Sequence, residues 1–285
     1  MTEARHRAPS PSVLTDPAGW PPSTFATQVR VLAARSLKTA FGDRRLVFFG
    51  LLQPIVLLLL FSQVFNGVST LPGVAAYQGY VNFLVPATLV NIAMTTAMSS
   101  GAGLLAEIYS GFTGRLRCMP ISLSAVLVAR TISDSARLGV QLLVTALASV
   151  VLLGFRPTGG VFGVTAALLL TLVVGWCLSW IFVAITTWLR KAETLQMASF
   201  VVMFPLMFSS SAYMPLETMP AWLRVASALN PLTYAIDATR ALALGRPSGW
   251  SIPVSLAIAA VAALAGGWIA ARTFRTPRDV TPMAG

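Results

Sequence analysis

Charge is what this sequence has least of. Only 10% of its 285 residues are Asp, Glu, Lys or Arg, against about a quarter in soluble globular domains. Hydrophobic residues make up 56%, and the mean hydropathy is +0.76. So few charges cannot coat a soluble surface. The balance excludes a disordered chain, a disulfide-built secreted domain and an ordinary soluble enzyme, and leaves an integral membrane protein made of helices. Histidine occurs once, as His6 in the N-terminal tail, so a zinc hydrolase or a Ser-His-Asp triad has no histidine to use. Cysteine occurs twice. Cys177 lies in an apolar run and Cys118 in a polar loop, so neither a disulfide nor a metal site is expected. Lysine occurs only as Lys38 and Lys191, and neither follows a glycine, as the lysine of a phosphate-cradling loop must. This chain therefore has no such route to ATP hydrolysis. Acids are rare too, and Glu107, Asp134 and Glu193 all lie near span ends, which argues against transport driven by an intramembrane carboxylate.

What is present is long apolar runs. About 20 apolar residues cross a hydrocarbon core of ~30 Å. Six stretches qualify, at about 46–65, 81–105, 126–153, 161–189, 195–211 and 251–271. Before them, 1–23 is polar and Pro-rich and is expected as a disordered cytoplasmic tail, and 276–285 is a C-terminal tail. With the N-terminus inside, 16 of the 20 Lys and Arg residues fall on the cytoplasmic side. That bias puts both termini in the cytoplasm. The net charge of +11 thus belongs to topology-setting loops, and no nucleic-acid partner is expected.

Two segments are more than plain connections. In 24–45, Val29, Leu32, Ala33, Leu37 and Phe41 recur at helical spacing with Arg30, Arg35 and Lys38 between them. This is an amphipathic helix for the inner membrane surface, or simply a topology anchor. The segment 212–250 is too long for a bare loop. Pro220 and Pro231 open two short helices there, the second ending near Gly245. Between spans two and three, Glu107 to Ser122 mixes charge with Ile108, Phe112, Leu116 and Met119. It is either a helix with one apolar face or a solvated loop. Arg130 with Asp134, Asp134 with Arg137, and Asp237 with Arg240 have helical pairing distances. Gly101 and Gly103 fit a loose dinucleotide pattern, but inside an apolar helix small residues serve close packing. Met197, Met203 and Met207 read as an apolar pathway lining or as ordinary helix surface.

Four pieces together resemble the permease subunits of type-2 ABC exporters, of the daunorubicin-resistance type. They are the basic helix before span one, the acid-led segment ending Leu116-Arg117-Cys118-Met119-Pro120-Ile121-Ser122 and followed by Arg130, the run from Ser211 through Pro215 to Trp222, and Asn230-Pro231-Leu232-Thr233-Tyr234 followed by Asp237 and Arg240. The resemblance runs from about 24 to 275. It implies an all-α permease domain over 46–275 in the cytoplasmic membrane of a bacterium, with 24–45 as a connecting helix. It implies a coupling helix contacting a separate ATP-binding subunit through Glu107, Tyr109, Phe112, Arg115, Leu116 and Arg117. Gly114 departs from the acid or polar residue often found there. An extracellular re-entrant gate would use Pro215, Trp222, Asn230, Pro231, Tyr234, Asp237 and Arg240. No cofactor is implied on this chain, and ATP-Mg would sit on the partner. A second permease, identical or related, would complete the transporter, and an amphipathic drug, antibiotic or lipid-like molecule would pass between spans one, two and five of the facing permeases. The alternatives are an ion-coupled secondary transporter and a membrane enzyme, for which Asn82, Asn91, Asn230, Tyr234 and Asp237 are thin candidates.

Overall fold

The computed structural model describes residues 24–42, 44–65, 67, 72–109, 123–189 and 191–275. Among them there is no strand. The helices are α1 (Phe25–Gly42), α2 (Arg44–Val64), α3 (Pro72–Ala75), α4 (Tyr80–Tyr109), α5 (Leu123–Leu153), α6 (Gly160–Trp188), α7 (Ala192–Phe208), α8 (Ala221–Leu229), α9 (Pro231–Ala243) and α10 (Ser251–Arg275), with a 3-10 turn at Leu216–Thr218. Four of these (α4, α5, α6 and α10) are long and apolar enough to cross a membrane. The apolar part of α2 from Phe48 and the whole of α7 are shorter. The chain is thus a multi-pass membrane protein by composition and architecture. The 30 residues of α4 extend about 45 Å at 1.5 Å per residue, so α4 tilts or projects beyond a ~30 Å core.

Helix α6 is the hub, packing against α4, α5, α9 and α10. Its buried Val174, Leu178 and Phe182 meet Val90 and Met94 of α4 and Leu232 and Ile236 of α9 in one cluster. Met203 of α7 joins this core, while Met197 is 71% exposed, so the methionines do not form one surface. Lipid is as apolar as leucine, so helices in a membrane gain by close packing of small residues. Gly101 lets α4 approach the Phe182 carbonyl, and Gly266 lets α10 approach the backbone at Trp180. Helix α1 lies along α5. Its Val29, Leu32, Ala33 and Leu37 are partly covered, and Arg30, Arg35 and Lys38 face outward.

Among the described residues, three helices carry a proline beyond their first turn: Pro54 in α2, Pro86 in α4 and Pro205 in α7. Proline has no N–H, so the carbonyl four residues earlier loses its helical donor. For Pro54 that carbonyl is Gly50, and Gln141 Nε2 of α5 donates to it at 3.2 Å. Gln141 Oε1 in turn accepts from Thr96 Oγ1 of α4 at 3.0 Å. One buried amide thus ties three helices at a break in the first of them.

Gly159 and Gly163 bring the start of α6 against the carbonyls at the end of α9, where a Cβ on Gly163 would collide with the Leu242 oxygen. Overpacking of this kind costs about 1–3 kcal/mol. Gly163→Val is expected to lower the thermal midpoint of the purified protein accordingly, whereas Gly139→Val, with only Leu172 nearby, should change it little. Equal midpoints for the two variants would contradict the close approach.

Candidate functional site

Helix α9 starts at Pro231, where a missing N–H costs nothing. Its cap is Asn230, whose Oδ1 accepts from Leu232 N at 2.9 Å. The same side chain donates through Nδ2 to the Leu206 carbonyl and, at 3.1 Å, to Ser209 Oγ. One amide therefore ends α7 and begins α9. At the other end of α9, Gly159 N donates to Ala243 O at 3.1 Å, Arg246 N to Ala241 O at 2.8 Å, and Thr158 Oγ1 to Leu244 O at 2.6 Å. Gly245 takes the left-handed conformation, φ 61°, that turns the chain away. No residue of α9 is exposed.

Inside that helix sits Arg240, 3% exposed. Its Nε donates to the Phe83 carbonyl at 3.2 Å, Nη1 to Asp237 Oδ1 at 2.9 Å and Nη2 to the Ser211 carbonyl at 2.9 Å. The guanidinium carbon lies 3.9 Å from the centroid of the Phe83 ring, a cation–π contact. Ser211 Oγ donates to the same Asp237 oxygen at 2.8 Å. A charge of this depth is tolerated only when paired and hydrogen-bonded, and Arg240 is both. Close by, Tyr213 accepts from Asn91 Nδ2 at 3.2 Å and stacks on Phe208. Burial pushes its phenol up to about 12, and the Asn91 hydrogen bond pulls the other way. Below that value the hydroxyl keeps its proton, so Tyr213 carries no charge near neutral pH.

A cavity of about 560 Å³ opens beside this network, walled by the turn after α3, the 211–217 segment, α9 and the start of α10. Pro215, Asp237 and Arg240 line it together. Asn230 and Pro231 form the α8–α9 corner, and Tyr234 donates to the Ala228 carbonyl at 2.8 Å across that corner. Trp222 stands apart, 72% exposed on α8.

At the opposite end of α4 lies a second ionic cluster. Arg130 of α5 pairs with Glu107 of α4 at 2.8 Å and with Asp134 at 3.1 Å. A Cβ on Gly103 would occupy the place of the Arg130 guanidinium. Among the described residues no ion pair joins Asp134 to Arg137, so of the two spacings expected there only Arg130–Asp134 is used. Glu107 and Tyr109, expected in a separate coupling helix, belong instead to the last turn of α4. Phe112, Arg115, Leu116 and Arg117 lie outside the described residues. Phe83, Gln141 and Thr96 carry no short motif and enter only through contacts distant in sequence, and Ser211, which opens the 211–222 run, gains its role in the same way.

Residues 27–244 match the family model described as ABC-2 type transporter. The daunorubicin resistance ABC transporter permease protein of Streptomyces coeruleorubidus is 31% identical over 209 residues, 73% of this chain and 72% of that one. The Mycobacterium tuberculosis protein named as a probable doxorubicin resistance ABC transporter permease is 26% identical over 194 residues, 68% of this chain and 70% of its own.

Removing one member of a fully buried ion pair costs about 3–5 kcal/mol because the other is left uncompensated; here Arg240 is buried but the Asp237 side chain is 36% exposed, so the cost lies at or below the low end of that range. Asp237→Ala strands Arg240 and is expected to lower the thermal midpoint. Replacing both partners together, Asp237→Leu with Arg240→Met, should recover most of that loss. A double variant as unstable as the sum of two single ones would show that the two residues act independently.

Proposed function

The chain belongs to the ABC-2 type transporter family, the membrane domains of ABC transporters, and from that premise we propose that it is the membrane-spanning subunit of an ATP-driven exporter for an amphipathic drug, antibiotic or lipid-like molecule. The observation that carries this is the family match over 27–244 together with relatives named for daunorubicin resistance and for probable doxorubicin resistance. In this reading α2, α4, α5, α6, α7 and α10 form six spans in the cytoplasmic membrane of a bacterium, with both termini in the cytoplasm. The α8–α9 corner lies on the outer side. The satisfied ends of α9 suit a helix that dips to membrane depth without spanning, since non-spanning backbone is tolerated there only where protein meets its polar groups. A second permease, identical or related, completes the pathway.

The chain does no covalent chemistry. ATP-Mg belongs to a separate ATP-binding subunit, which presses on the segment 110–122. That segment is strung between the Glu107 end of α4 and the Arg130 end of α5. The Glu107–Arg130 pair holds these ends together, so a push on the segment moves both helices as one. Arg115 and Arg117 supply charge for the interface, with Phe112 and Leu116 as its apolar part.

Co-expression with ABC ATP-binding subunits from the same genome tests the reading. A stable complex is expected, whose ATP hydrolysis in lipid vesicles rises with one or more amphipathic drugs or lipids. Arg115→Glu with Arg117→Glu should leave the permease in the membrane but cut drug-stimulated hydrolysis at least tenfold. Transport that needs no ATPase and collapses with the proton gradient would establish the ion-coupled alternative. Unchanged stimulation in the double variant would remove these arginines from the interface.

A further inference from the structure

The 560 Å³ cavity holds two cations and two carboxylates, but they are not equally engaged. Arg240 and Asp237 pair with each other, and both are further held by Ser211. Glu217 and Arg246 are left over. Both line the same cavity, both are exposed, and among the described residues neither has an ion-pair partner. Arg246 is nonetheless held in place, and Arg224 donates to the Glu217 backbone carbonyl at 3.4 Å without forming an ion pair with its carboxylate. Arg246 lies over the Tyr77 ring at 4.2 Å and donates to the Ala76 carbonyl. The Glu217 carboxylate lies against Gly73, where an added Cβ would come within 3.3 Å of its Oε2. A negative and a positive group thus flank one short turn, Gly73 to Tyr77, without closing on each other.

A ligand that neutralises both must carry the opposite charges on one compact group, a cation for Glu217 and an anion for Arg246. The inner wall supplies apolar surface from Phe83, Pro215 and Leu216. Trp250, 82% exposed and next in sequence to the cavity residue Ser251, is an apolar residue that suits acyl chains. Tryptophan favours the headgroup level of a bilayer. We propose that this cavity binds the headgroup of a zwitterionic phospholipid of the phosphoethanolamine type, with the phosphate on Arg246 and the ammonium on Glu217. The site needs no ATPase, and it stands or falls apart from the transport reading.

Native mass spectrometry of the full-length protein, delipidated in detergent, tests this with four probes: a short-chain phosphatidylethanolamine, the matching phosphatidylglycerol, free glycerophosphoethanolamine and a phosphate-free alkylamine. Phosphatidylethanolamine is expected to bind at least tenfold more tightly than each of the others. Glu217→Gln should erase the preference over phosphatidylglycerol. Arg246→Gln should weaken phosphatidylethanolamine at least tenfold, and Arg246→Lys should restore part of it. Both residues are exposed, so these variants leave the core untouched, and a thermal midpoint within a degree or two of the parent checks that. Equal binding of both lipids, or indifference to both variants, overturns the site. Equal binding of the alkylamine overturns the zwitterion, and equal binding of free glycerophosphoethanolamine overturns the lipid.

Discussion

A short helix with a cation in it, sunk among apolar helices, has little water to solvate its ends or its charge. Everything around α9 answers that constraint. Asn230 caps its start while capping the end of α7. Thr158 and Gly159 meet its last carbonyls. Arg240 is held by Asp237, by two carbonyls and by the face of Phe83. Left unmet, each buried polar group would cost on the order of 1–3 kcal/mol, and a charge more. The glycines at 159 and 163 follow from the same requirement, because only a residue without Cβ lets α6 come close enough to donate.

The two ionic clusters are joined by α4. It offers the Phe83 carbonyl and ring to Arg240 near one end and Glu107 to Arg130 at the other. Those positions are separated by 24 residues, about 36 Å of helix. The same helix receives the Gln141 amide through Thr96 midway, where α5 also steadies the broken ladder of α2. One helix, buried along much of its length and carrying Pro86 near its cavity end, therefore spans from the Glu107 end to the cavity. This gives the exporter reading a mechanical path from the segment between α4 and α5 to the cap.

Much of this was legible in the residues, and the rest shows where sequence reasoning stops. Apolar runs marked every long helix because a membrane leaves no other solution. Pro220 and Pro231 marked α8 and α9 because their chemistry is local. Asp237 with Arg240 and Arg130 with Asp134 were visible as spacings of three and four. Spacing alone could not choose between partners, however: Arg130 takes Asp134, and Arg137 does not, because the Arg130 side chain also reaches Glu107 across the gap left by Gly103. The double role of Asn230 was hidden, since Leu206 and Ser209 come close only in three dimensions. One signal was available and unused. Pro54 orphans the Gly50 carbonyl, and a glutamine inside an otherwise apolar span, Gln141, is the kind of donor such a carbonyl requires.

Helix α9 is an interior helix whose backbone is satisfied by protein, in contrast to α8, where only Ser227 is buried. Hydrogen exchange of the protein in lipid nanodiscs measures this directly. The amides from Leu232 to Ala243 are expected to exchange as slowly as those in the middle of α6, and those of α8 orders of magnitude faster. Exchange of α9 at the rate of α8 would mean that water reaches its backbone, and that the Arg240 network does not hold it inside.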